Sequence, residues 1–129
     1  MATPTPGGAK TNLGLEPNIA GLLCYVPCCL GLVFSVVAAI VEKQSRFVRF
    51  HAFQSLLLHG VVIVVWIGLT AVQMVLGAVG LGLVGVLFWI VSMVAGVGFL
   101  VVAVLLMVKA NSGEEFELPV IGPMARQWV

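Results

Sequence analysis

From Leu56 to Val108 the chain carries no Asp, Glu, Lys or Arg. A run of that length is about twice what one membrane-spanning helix needs, at roughly 20 residues each, so it predicts two. Gly77, Gly80, Gly82 and Gly85 punctuate the run and place a tight turn inside it. The spans then cover residues 56–76 and 83–108. A further apolar stretch over residues 19–41, with Asn18 as N-cap and Glu42 and Lys43 behind it, predicts a first span of roughly 35 Å. Pro27 deprives that helix of one donor and predicts a kink within it. The fold expected is all-α and integral to the membrane, with three transmembrane helices.

Between the first two spans the pattern changes. Read at the helical period, Arg46, Arg49, Phe50 and Phe53 share one face, and Phe47 lies beside them. Rings interleaved with guanidinium groups suit the headgroup level of a bilayer, where Arg keeps its charge wet. A helix running from Arg46 to Leu76 would be about 46 Å long, too long for a roughly 30 Å core. Residues 44–55 are therefore expected to lie in the interface, either as a separate amphipathic segment or as a strongly tilted extension of the second span, with Arg46, Phe47, Arg49, Phe50 and Phe53 meeting lipid or a partner. His51, Ser55 and His59 recur every four residues on another face, a polar stripe running into the hydrocarbon.

The two ends differ in character. Residues 1–18 form a Pro- and Gly-rich arm, expected to be extended. Residues 109–129 form an acidic tail in which Pro119, Gly122 and Pro123 rule out a long helix. Its Glu114, Glu115 and Glu117 are expected to dock on Arg46 and Arg49. Neither a cleavable leader nor a lipidation signature is expected at the ends. Lys43, Arg46, Arg49, Lys109 and Arg126 flank one side of a three-span arrangement, against Lys10 on the other. The positive-inside rule then puts the tail in the cytoplasm and the N-terminus outside, in a prokaryotic cytoplasmic membrane.

Composition narrows the class. With 61% hydrophobic and 9% charged residues, a soluble fold could not cover its own surface. A net charge of +1 leaves no basic face for nucleic acid. Gly80, Gly82 and Gly85 match a dinucleotide fingerprint, but no acid follows before Glu114, and the glycines are read as turn residues. Cys24, Cys28 and Cys29 are read as packing.

His51 and His59 stand about 12 Å apart on a helix and cannot share an ion. Either could singly bind a metal or a pigment magnesium, but the reading adopted is interhelical hydrogen bonding, for Gln73 as well. Gly31 with Ser35, and Ser92 with Gly96, are small pairs that permit close helix contact. No acid/base pair or nucleophile arrangement stands out, so no catalytic residue, metal or cofactor is expected.

Leu23-Cys24-Tyr25, FVRFHAFQS from Phe47 to Ser55, and the ending Lys109-Ala110, Gly113-Glu114, Leu118-Pro119-Val120-Ile121-Gly122 resemble a widespread prokaryotic family of small three-span membrane proteins of uncharacterised function. That family is distantly similar to the twenty-kilodalton channel component of the chloroplast inner-envelope protein translocon. The resemblance implies fold and membrane location. The function expected is a non-catalytic subunit packing against lipids and other integral membrane proteins, or against its own copies. The alternative is an oligomeric component of a translocation or permeation path.

Overall fold

The computed structural model describes residues 11–27 and 29–129, and Cys28 and residues 1–10 of the arm lie outside them. Five helices follow in order: α1 Pro17–Leu23, α2 Cys29–Val41, α3 Arg46–Ala78, α4 Gly82–Asn111 and α5 Ile121–Arg126. Strands are absent among the described residues.

The two long helices are where the uncharged run puts them, and local chemistry sets their ends. Ser45 caps α3, its hydroxyl accepting from Val48 N at 3.3 Å. Gly80 ends α3 at φ 77°, with Leu81 N donating to Leu76 O and Gly80 N to Gly77 O. Gly113 ends α4 in the same way at φ 76°. Both are left-handed caps of the kind glycine adopts without steric penalty. Between α3 and α4, Gln73 Nε2 donates to Ser92 Oγ at 3.1 Å, and a Cβ on Gly96 would lie 3.4 Å from the Trp66 ring. The Ser92–Gly96 pair thus faces the neighbouring helix.

The stretch over residues 19–41 is not one kinked helix. Pro17 opens α1, which ends in two tight turns, Tyr25 N to Leu22 O and Val26 N to Leu23 O, before Pro27. The chain then folds back on itself. Gly31 meets the backbone of Val26 and Cys24 so closely that a Cβ there would fall inside Val26 O. At the open end Asn12 N donates to Glu42 Oε2 at 2.8 Å, and Lys43 N donates to Asn12 Oδ1 at 3.3 Å.

The two ends of the segment therefore touch, whereas a transmembrane helix would hold them about 30 Å apart. This corrects the expectation of a single helix over residues 19–41, which is two helices joined by a reversal. Two helices, α3 and α4, have the length and hydropathy to cross a membrane, and α2 is a shorter apolar helix. The cause lies in residues with small or missing side chains. Gly31 admits the backbone, and the Ser35 hydroxyl lies 3.0 Å from the Cys24 carbonyl in the turn.

Of the two forms expected for residues 44–55, the structure has the extension and not a separate segment: residues 46–55 are the first third of α3, which runs unbroken for 33 residues behind its cap Ser45. Val48, Phe50, His51, Ala52, Gln54, Ser55, Leu58 and His59 are buried there beneath α1, α2, α4 and the tail. Beyond Gly60, by contrast, α3 has no buried residue, and along α4 up to Leu100 only Ser92 is buried. The molecule is thus a base of α1, α2, α5 and the adjoining ends of α3 and α4, with a finger of the two long helices projecting from it. Ile63, Val64, Ile67, Met74, Leu83, Leu87 and Trp89 are among the apolar side chains bare on that finger.

Candidate functional site

The base is organised around a buried polar junction. Gln54, fully buried on α3, uses its whole amide. Its Nε2 donates to Phe116 O and to Tyr25 Oη, both at 3.0 Å, and its Oε1 accepts from Leu118 N at 3.1 Å. Tyr25 Oη in turn lies 3.0 Å from His51 Nδ1. The donor order that satisfies these atoms runs from Gln54 to Tyr25 to His51 Nδ1, leaving the His51 proton on Nε2. That nitrogen faces the Glu114 backbone without a hydrogen bond of good geometry. Tyr25, Phe47 and Phe50 meet the imidazole edge-on at 5.5, 4.5 and 5.2 Å.

One turn further along α3 a second group ties down the hairpin. Ser55 Oγ donates to Cys24 O at 2.6 Å, and Ser35 Oγ reaches Ser55 Oγ at 3.0 Å and Gly31 O at 2.7 Å. These hydroxyls serve the carbonyls of a reversing chain inside an apolar environment, where an unpaired one would cost several kcal/mol. His59 Nδ1 donates to Ser55 O at 2.8 Å, so its Nε2 carries the lone pair, buried and without a partner, while the ring lies edge-on to Phe99 at 5.7 Å. His51, Ser55 and His59 thus occupy one buried face, the first two turned to the adjacent Tyr25 and Cys24 after α1 and the third to Phe99 of α4. Among the described residues no three His, Cys, Asp or Glu gather where they could hold a metal ion.

The surface around the junction departs from expectation at several positions. Phe50 does not meet lipid: it is fully buried, with the Arg126 guanidinium 4.7 Å above its ring. Phe47 is half-buried against Gly21 and His51. Arg49 donates to Trp128 O at 2.9 Å and lies over Phe53, and Arg46 is exposed.

The tail docks, but its carboxylates do not use Arg46 or Arg49. Glu114 pairs with Lys109 at 2.7 Å, while Glu115 and Glu117 both pair with Arg126 of α5. The α5 arginine lies nearer to those carboxylates along the chain than either α3 arginine does, and closes a local ring. The Lys109 ammonium beside Glu114 holds its carboxyl below the usual range, and Glu117 and then Glu115 raise Arg126.

Three residues central to this arrangement were not singled out by sequence reasoning. Gln54 stood inside the FVRFHAFQS motif, Tyr25 inside Leu-Cys-Tyr, and Glu42 was taken as the end of a span. Glu42 is fully buried and accepts from Asn12 N, Gln44 N and Ser45 N, which clamps the arm to the turn before α3. The usable signal was the company each keeps. The three motif segments converge here: Cys24 and Tyr25 meet Ser55 and Gln54, Gln54 holds Phe116 and Leu118, and a Cβ on Gly122 would lie 3.1 Å from Gln54 Oε1.

Comparison with known proteins finds relatives along almost the whole chain. The model of the magnetosome magnetite crystal formation protein family matches residues 14–125. A UPF0132 membrane protein of Methanocaldococcus jannaschii is 37% identical over 92% of this chain and 94% of its own length. Another from Archaeoglobus fulgidus is 31% identical over 89% of this chain and 97% of its own. No solved structure matches.

Proposed function

The chain belongs to the magnetosome magnetite crystal formation protein family, and we propose that it acts there as a non-catalytic membrane scaffold, anchored by two spans and a re-entrant hairpin. The observation that carries this reading is the contrast between base and finger. The hydrogen bonds of Gln54, Tyr25, Ser35 and Ser55 tie the chain's own segments together, while the flanks of α3 and α4 are left bare for lipids and other integral proteins.

The reading places the arm, the turn before α3 and the tail on one side of the bilayer. Lys43, Arg46, Arg49, Lys109 and Arg126 make that side cytoplasmic by the positive-inside rule. The family description speaks of crystal formation, and for this chain we read the role as shaping or organising the surrounding membrane. Glu114, Glu115 and Glu117 support that choice, because each is held by a basic partner of its own chain.

Purification in mild detergent followed by mass spectrometry of the intact assembly tests the proposal. A fixed set of unrelated membrane subunits is expected. Self-assembly that conducts ions in a planar bilayer would instead favour a permeation path, and an inert monomer would sink the scaffold reading.

A further inference from the structure

The unequal halves of the molecule have a mechanical consequence for the bilayer around it. An α3 of 33 residues is about 50 Å long and fits the roughly 40–45 Å of a bilayer with headgroups at modest tilt. Its midpoint falls at Val62. The packing of α1 and α2 ends at that same height: Ser55 bonds Cys24 and Ser35, Leu58 and His59 are the last buried residues, and every residue from Gly60 to Ala78 is exposed or half-exposed. The leaflet on the terminal side therefore holds four helices and the opposite leaflet two. At a helix diameter of about 10 Å, this is roughly 300 Å² of cross-section against roughly 160 Å².

The faces that displace lipid are apolar in both leaflets. Leu30, Val33 and Ile40 on α2 are 69%, 61% and 68% exposed, so the hairpin presents an apolar face suited to hydrocarbon. The shape is also built to last. Gly31 seats the reversal on backbone, Ser35 and Ser55 satisfy its carbonyl, and Glu42 closes its mouth onto Asn12.

We infer that this chain is a membrane wedge whose preferred partner is a curved lipid bilayer, convex on the side that carries the arm and the tail. The inference rests on the re-entrant topology proposed above and goes beyond the scaffold reading, since it needs no protein partner. A one-leaflet insertion expands the leaflet that holds it, and binding of this kind is sensitive to curvature.

The test uses the full chain with a fluorophore at its C-terminus, reconstituted into lipid vesicles of about 50 nm and about 400 nm, with external protease distinguishing tail-outside from tail-inside molecules. Tail-outside molecules are expected to be enriched about threefold or more per lipid in the small vesicles, and tail-inside molecules depleted. Equal densities at both sizes, or enrichment of both orientations alike, overturn the wedge. Gly31→Leu, which forces the hairpin open, should lose the size preference. If that variant does not fold, the two orientations of the wild type still decide. Failure here leaves the topology intact, because the side on which Asn12 lies is measured separately.

Discussion

Replacing Gln54 by Leu should release the tail while leaving the two spans in place. Gln54 makes three hydrogen bonds, to Tyr25 Oη, Phe116 O and Leu118 N. A leucine of similar size removes all three and leaves their partners unpaired. An orphaned buried group costs about 1–3 kcal/mol, but Phe116 O and Leu118 N are only part-buried and regain water once the tail lifts. The loss to tail docking is therefore about 2–3 kcal/mol, which lowers protection of the docked amides by about 30- to 150-fold. Hydrogen exchange in detergent micelles, read at Leu118, Ile121 and Gly122, measures it directly. Gln73→Leu supplies the control, since it breaks only the bond to Ser92 near the far end of α3 and should leave the tail unchanged. If Gln54→Leu altered tail protection less than twofold, Gln54 would not be what holds the tail.

Other outcomes follow from single features. Val120 centres a tight turn at φ 70°, with Ile121 N donating to Pro119 O at 2.8 Å, a conformation costing a β-branched residue about 1–3 kcal/mol. Val120→Gly should therefore stabilise tail docking by about 1 kcal/mol after glycine's own entropy of about 0.5–1 kcal/mol, read as slower exchange at Gly122. Gly31→Val drives a side chain into the Val26 backbone and should destabilise the hairpin by at least about 3 kcal/mol, visible as lost monodispersity or a lowered midpoint in a thermal scan. Because Lys109 lowers the Glu114 carboxyl, the ion pair contributes in full above the ordinary carboxylate range and is lost as pH falls through the lowered value. Proteolysis of the tail should thus stay constant from neutral pH down to that range and rise only below it. A rise already near neutrality would assign the control to a different group.

The parts of this fold that could be read along the chain are those that depend on hydropathy and glycine alone. An uncharged run with Gly80 inside it yields two long helices and their turn, since lipid tolerates little else. The hairpin could not be read in the same way. Pro27 within an apolar stretch is compatible with a kink or with a reversal, and the choice is made by Ser55, whose hydroxyl supplies the Cys24 carbonyl from 31 residues away. Periodicity correctly gathered His51, Ser55 and His59 on one face but gave no view of what faces them. The mistaken assignment of Phe50 to lipid has the same origin: α5 and Arg126, which cover it, lie more than 70 residues further on. The tail was judged by its charges, whereas the bonds that fasten it to α3 run from Gln54 and Arg49 to its backbone, which composition does not display.

The side of the membrane on which Asn12 lies decides the central claim. With Cys24, Cys28 and Cys29 replaced by alanine, single cysteines at Asn12, Lys43, Gly80 and Trp128 can be labelled by an impermeant thiol reagent in sealed vesicles of known orientation. Asn12, Lys43 and Trp128 should react together from one face and Gly80 only from the other. Labelling of Asn12 with Gly80, opposite Lys43, would show that the first apolar stretch crosses the bilayer after all.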